Sequence, residues 1–230
     1  MLETNDGNLH LEQANEVFKA GKIVFIDKPI GANLAQAIAI FQLAKQYNVT
    51  VFSSSSLRYV DQSQKLRNGE LGKVLGADCY SPAHLEPSHD DLAWYGIHGI
   101  EALFTVMGTG CVSVNRMSSE GTDVVVGLWN DGRIGTVRGA RTGKAPYGGH
   151  AVTDKGVVST GEYQGYEGLL KEILKFFKTH IPPVTEKETL EIFTFIEAAD
   201  VSKSKGGKII SLDATYRKGM KEAQKLIRKL

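Results

Sequence analysis

The stretch VFIDKPIGANLAQA, residues 24–37, sets the fold class. With Lys22 and Ile23 ahead of it, the run KIVFID is continuously apolar rather than alternating, as expected of a strand covered on both faces in a parallel sheet. It ends at Asp27-Lys28-Pro29, and a helix follows behind the N-cap residue type Asn33. Leu34, Ala37, Ile38, Phe41 and Ala44 recur at helical spacing and mark its buried stripe. After Asn48, VTVFSSSS reads as a second buried strand that runs out into small polar residues at Ser56. Strand, helix and strand at this spacing form a βαβ crossover. Upstream, Leu9, Leu11, Ala14, Val17 and Phe18 predict a helix from Asn8, as its cap, to Ala20, with Gly21 as its stop.

Downstream the pattern changes. From Lys73 the chain carries the β-rich runs KVLGADCYS, GCVSVNRMSS, TDVVVGLWNDGRIGTVRGAR and HAVTDKGVVST, with Asp131-Gly132 as a hairpin signal. Helices are expected over Asp90–Met107, Tyr163–Thr179 and Lys187–Lys203. The tail Ala214–Leu230 reads as a basic amphipathic helix with Met220, Ala223, Leu226 and Ile227 on one side. Packing on the sheet or on a neighbouring subunit is the expectation there, ahead of membrane binding. An α/β part over residues 1–57 is therefore expected to precede an α+β domain with a large, mostly antiparallel sheet over 58–230.

The 230 residues include 27 basic and 26 acidic side chains, a net charge of +1, so no global field draws nucleic acid or an anionic membrane. Neither is expected as a partner. Cys79 and Cys111 sit in apolar runs and read as buried free thiols in a reducing compartment. No apolar run approaches the roughly 18–20 residues of a membrane span, and MLETNDGNLHLEQ lacks the regions of a signal peptide, so a cytoplasmic location is expected. The histidines are dispersed without H-x-x-x-H spacing, and no metal site is expected. The chain contains no G-x-S-x-G elbow, no phosphate-binding P-loop and no G-x-G-x-x-G turn.

Two groups carry candidate chemistry. Lys28 lies one residue past a strand end, where open parallel sheets bind ligands, and its ammonium could hold a substrate hydroxyl or carbonyl oxygen. The plainer reading is a solvated turn lysine or an ion pair with Asp27. His98 lies in DLAWYGIHGIEALFTVMG, residues 91–108, with Trp94, Tyr95, Glu101 and Ala102 one helical turn away and Asp91 two turns away. It could serve as an acid or base near neutrality, or be a core histidine with both nitrogens satisfied. The loop PAHLEPSHDD reads as a substrate rim.

Taken together, KAGKIVFIDKP, LAKQYNVTVFSSSSLRY, RNGELGKVLGA and the G-x-H-x-x-E segment around His98 resemble the glucose-fructose oxidoreductase and inositol dehydrogenase family, often called Gfo/Idh/MocA. The resemblance runs to about residue 213. It implies a Rossmann domain followed by an α+β domain with an open sheet, NAD or NADP as cofactor, a sugar or polyol as substrate, and a homo-oligomer built through that sheet. By it, Lys28 orients the reacting hydroxyl, His98 takes its proton and Pro29 fixes the turn beside the nicotinamide. Asn5, His10 and Asp27 also fall at the cofactor, while Arg58, Tyr95 and Asp91 fall at the substrate. Trp94 stands where the family has an aspartate, leaving Asp91 or Glu101 to orient His98. The family's first strand, glycine turn and ribose-binding acid would precede Asn5, so a remnant of the Rossmann sheet is expected. Its faces would then be covered by a second copy or a docked segment. The alternative is a non-catalytic binding or oligomerisation module that has lost nucleotide binding.

Overall fold

A computed structural model describes residues 1–230. A short 3-10 turn, Gly7–Leu9, leads into α1 (His10–Lys19), β1 (Val24–Phe25), α2 (Leu34–Gln46) and β2 (Val51–Phe52). The two strands pair in parallel, Val24 with Val51 and Phe25 with Phe52, and Leu2 adds a parallel bridge to Ile26. The expected crossover is present. Asn33 caps α2, its Oδ1 accepting from Gln36 N at 3.0 Å. At α1 the cap differs from the expectation, because Asp6 accepts from Asn8 N at 2.9 Å and the 3-10 turn moves the helix start to His10.

The chain then forms a second 3-10 turn, Ser56–Tyr59, followed by α3 (Asp61–Arg67), β3 (Val74–Pro82), α4 (Ile97–Met107), β4 (Cys111–Ser118), β5 (Thr122–Trp129), β6 (Ile134–Ala140), β7 (Gly148–Thr153) and β8 (Gly156–Ser159). It closes with α5 (Glu167–Thr179), α6 (Glu186–Ser204), β9 (Ile210–Ser211) and α7 (Leu212–Ile227). The seven strands β3 to β9 make one sheet in the order β8-β7-β3-β6-β5-β4-β9. Every pairing is antiparallel except β3 with β6. Asp131-Gly132 turns β5 into β6, with Trp129 N donating to Arg133 O at 2.9 Å and Gly132 at φ 85°.

Side chains alternate across these strands, and one face is buried under α4 and α6. Trp129 sits at its centre, 5.5 Å from Phe104, which lies 5.6 Å from Phe195. A Cβ at Gly127 would stand 2.8 Å from Phe195 and 2.9 Å from the Trp129 ring, so the indole requires that glycine.

The small sheet is covered by the chain itself. On one face α1 and α2 bury Phe18, Ile38 and Phe41. On the other, Phe25, Phe52 and Phe176 of α5 stack at 5.0 and 4.8 Å, with Leu169 and Ile173 beside them. The C-terminal helix α7 packs mainly on α2 and also touches β4 and β9 at the edge of the large sheet, with Gly219 so close to α2 that a Cβ there would be 2.7 Å from Leu34. The covering expected from a second copy or docked segment thus comes, on both faces, from this chain's own helices. No helix is long and apolar enough to cross a membrane.

One helix is shorter than its sequence suggests. Residues 91–96 form turns, and α4 begins only at Ile97. Tertiary bonds anchor the start of these turns: Asp90 N donates to Ala32 O, and Asp91 N donates to Asp200 Oδ2 at 3.0 Å.

Candidate active site

The carboxyl ends of β1 and β2 meet α4 and two loops of the large sheet around a cavity of about 160 Å³. Asp27 and Lys28 enter it just past β1, Ser54 and Ser56 from the segment after β2, Tyr95 from the turns before α4, His98 from α4, and Tyr147, Tyr163 and Tyr166 from the loops. The structure therefore brings together Lys28, His98, Asp27 and Tyr95, as the sequence suggests.

Lys28 is mostly buried, and its ammonium lies over the rings of Trp94 and Tyr95, 5.6 and 5.3 Å from their centroids. No carboxylate stands within ion-pair distance, although Asp27 is its neighbour in sequence. Burial lowers the ammonium pKa and the Asp27 charge offsets part of that, while burial raises Asp27 itself. Trp94 thus gives Lys28 a cation–π face at the position where the resemblance implies a carboxylate.

Neither Asp91 nor Glu101 orients His98. Its Nδ1 lies 2.7 Å from Ser55 Oγ, which also accepts from Leu57 N at 3.2 Å. We assign the serine proton to Nδ1, which puts the ring proton on Nε2, a nitrogen with no hydrogen-bond partner in the protein. Burial, with the Lys28 charge as a second cause, pushes the imidazole pKa down to about 3. His98 is a neutral donor at physiological pH.

A stability consequence follows. Between an unfolded pKa near 6.5 and a folded value of about 3, the unfolded chain binds a proton that the folded chain refuses, so His98 costs stability as pH falls through that window. Urea unfolding at pH 7, 6, 5 and 4 should show wild type losing stability relative to His98→Gln by about 1.4 kcal/mol per pH unit below pH 6. Asp90, raised to about 7, and Asp200, raised to about 6, act in the opposite direction. Both proteins share them, so they cancel in the difference, and parallel pH curves would show that His98 is not buried as a neutral ring.

Two expected substrate contacts lie elsewhere. Arg58 is buried and donates to Glu101 Oε2 from Nε and Nη2 at 2.8 and 2.6 Å, and to Glu188 Oε1 from Nη1 at 2.5 Å. Every charged edge of its guanidinium is used inside the protein. Asp91 pairs with Arg116 at 3.0 Å and Lys203 at 2.6 Å, because the turns before α4 swing it away from the His98 face. Arg116 also bonds Asp123 and Asp200 beneath the sheet.

Of the groups expected at a cofactor, Asn5 is exposed and His10 is fully buried. The His10 nitrogens each lie 2.9 Å from a carbonyl oxygen, of Pro29 and of Thr4, so the ring clamps the N-terminal loop to the Lys28-Pro29 turn, whose peptide is cis. Asn8 Nδ2 and Gly7 N tie the same loop to Ser88 O and His89 Nε2. The helix ends near the strand tips, where a diphosphate would be held, are filled by side chains. Asp6 occupies the start of α1, and Asn33 and Gln36 take the N–H groups of Gln36 and Ala32 at α2. These residues offer a place for the reacting end of a nicotinamide nucleotide, and they do not fit its diphosphate.

Sequence reasoning missed Ser55, Tyr147, Tyr163 and Tyr166. The serine run was visible without its partner, and the tyrosines lie in loops that carry no periodic signal. A wider cleft of about 530 Å³ between α6 and α7 includes Cys111, whose thiol burial raises to about 12, so no reactive thiolate is present there.

Comparison with known proteins bears on the same segments. Residues 3–55 match the Gfo/Idh/MocA model, described as an oxidoreductase family with an NAD-binding Rossmann fold. The chain is 31% identical over 111 residues to the uncharacterized oxidoreductase YhhX of Escherichia coli (strain K12), which covers 43% of this chain and 32% of that protein. The match thus spans about a third of that relative's length. Among solved structures, scyllo-inositol dehydrogenase from Lactobacillus casei with bound NAD(H) and scyllo-inositol superposes with a TM-score of 0.77 at 15% identity, covering 92% of this chain and 79% of the other. A probable dehydrogenase from Thermotoga maritima gives 0.76 at 20% identity, with 91% and 79% covered. At such identities these structures speak for the fold. The segment that carries β1, the Asp27-Lys28-Pro29 turn and β2 is thus similar to the NAD-binding part of the Gfo/Idh/MocA oxidoreductases, and the chain shares the fold of these solved dehydrogenases.

Proposed function

We propose that this chain forms the substrate side of an NAD(P)-linked oxidoreductase acting on a carbinol or carbonyl of a sugar or polyol. The observation that carries the reading is the convergence of Lys28, just past the end of β1, and His98, at the start of α4, on one small cavity lined by hydroxyls and aromatic rings. A nicotinamide, when bound, supplies hydride exchange at carbon. The chain's own residues bind and polarise the oxygen. Lys28 Nζ and His98 Nε2 are both donors, and two donors suit an oxygen that is gaining negative charge. The low basicity of His98 moves proton exchange to Lys28, whose lowered pKa makes it the better acid, with His98 as hydrogen-bond donor. This exchanges the roles that the family resemblance implies, for a physical reason: no carboxylate is placed to stabilise an imidazolium. Carbonyl reduction then requires the ammonium, so its rate holds at low pH and falls as pH rises through the Lys28 pKa, below 10.5.

The test is titration with NADH and NADPH by nicotinamide fluorescence, alongside calorimetry with inositols and hexoses, and turnover assayed in both directions. Saturable polyol binding with nucleotide-dependent turnover supports the reading. Absence of both overturns it. The capped starts of α1 and α2 favour a second reading, a polyol-binding module without its own nucleotide site. Polyol binding without nucleotide binding would select it.

Assembly through the open sheet is also proposed. Val157, Val152, Ile134 and Leu128 follow one another across β8, β7, β6 and β5, with Gly76 of β3 between Val152 and Ile134 in register. All four are exposed on the face that α4 and α6 do not cover, Val157 at 67% and Ile134 at 52%. An apolar row of this kind marks an interface. Ile134→Asp should shift the sedimentation coefficient from dimer or tetramer to monomer at micromolar concentration, and a wild-type chain that sediments as a monomer would refute the assembly.

A further inference from the structure

We propose that Tyr147, Tyr163 and Tyr166 form a second subsite that stacks the aglycone or neighbouring ring of a glycoside, so that the substrate is a neutral glycoside rather than a free polyol. The proposal rests on the reading above and specifies its substrate. From His98 at the cavity floor, ring centroids step outward by 5.5 Å to Tyr147, 5.8 Å to Tyr163 and 6.1 Å to Tyr166. Exposure rises along the row, from half-buried Tyr147 to 40% at Tyr163 and 65% at Tyr166. A monosaccharide held by Lys28 and His98 would fill the inner space and leave the outer two rings in water.

The loop that carries Tyr163 and Tyr166 is tied down before any ligand arrives. Asp61 N donates to Gln164 Oε1 at 3.0 Å, and Ser63 Oγ donates to Thr160 O at 2.8 Å, tying the loop before α5 to α3. Gly161 has φ 92°, and a Cβ there would lie 2.6 Å from Val60, so the loop is packed as well as bonded. Aromatic area fixed beforehand contributes affinity without an ordering cost on binding.

The chemistry selects the ligand. The electron-rich face of a tyrosine ring attracts the weakly positive C–H face of a sugar or the edge of an aromatic aglycone, while the phenolic hydroxyls bond its oxygens. Asp27 and Lys28 are the cavity's charged side chains and oppose each other, so the site matches an uncharged ligand. A phosphate or carboxylate would call for a guanidinium, and Arg58 is committed to Glu101 and Glu188.

The experiment compares free glucose, galactose and mannose with their methyl and phenyl glycosides, by calorimetry on the full chain, with competition by the free sugar. For whichever sugar binds, the phenyl glycoside should bind about tenfold tighter than the methyl glycoside. Tyr166→Ala and Tyr163→Ala should bring that ratio towards one, with unchanged circular dichroism as the folding control. A ratio near one in wild type, a gain that survives both substitutions, or phenyl glycoside binding that free sugar does not displace would overturn the subsite and leave the polyol reading standing. If no sugar and no glycoside binds, both fall together.

Discussion

Arg58→Ala is expected to lower the unfolding free energy by about 3–5 kcal/mol, the scale for removing one partner of a buried ion pair. The guanidinium and the carboxylates of Glu101 and Glu188 are each 3–5% exposed, and the arginine is the cation between them. Glu188 keeps a second partner in Arg67, 2.8 Å away, and its carboxyl lies below the usual range, although burial opposes the shift. Glu101 has Arg58 as its one cationic partner, beside a hydrogen bond from Ser55 N at 3.4 Å, and burial already raises its carboxyl despite that pairing. Without Arg58, Glu101 takes up a proton on folding. An acid raised in the folded state loses stability as pH climbs from its unfolded value, so the deficit should be larger at pH 8 than at pH 5. Arg58→Lys should recover part of the loss, because it restores the charge and not the fork. Urea unfolding of the three proteins at both pH values checks this, and a loss under about 1 kcal/mol at pH 8 would show the network to be dispensable.

Lys28→Ala is expected to reduce turnover by about 10²–10⁴-fold, the range for removing an acid or a preorganised donor from a reacting oxygen. Lys28→Met retains an apolar stem under Trp94 and Tyr95 and should be as slow, which separates charge from packing. Neither substitution should destabilise the fold much, since a mostly buried cation without an ion pair contributes little to it. In wild type the reduction rate should decline as pH rises through the Lys28 pKa, and the residual rate of Lys28→Met should show no such step. The loss should fall on kcat rather than on KM, as for a group acting on the transition state. Turnover near wild type in either variant would remove Lys28 from the chemistry.

The sequence by itself determined the elements with strong local signals. The continuous apolar runs around Val24 and Val51, the Asn33 cap and the Asp131-Gly132 turn each specify their own geometry within a few residues, and all four are found where they are read. The place of Lys28 at a cavity beyond a strand end was legible for the same reason, since a strand end and a following helix set it without reference to the rest of the chain. Only the tertiary structure decided which groups surround it. Asp91 sits at helical spacing from His98, yet residues 91–96 form turns and Asp91 pairs with Arg116 instead. Arg58 looked free to bind substrate until α4 and α6 brought Glu101 and Glu188 against it. Ser55 became the partner of His98, and three tyrosines from two loops became one aromatic row. Periodicity reports which side of an element is buried. Pairing across 43 residues between Ser55 and His98 leaves no local trace, because it is fixed by how sheets and helices pack.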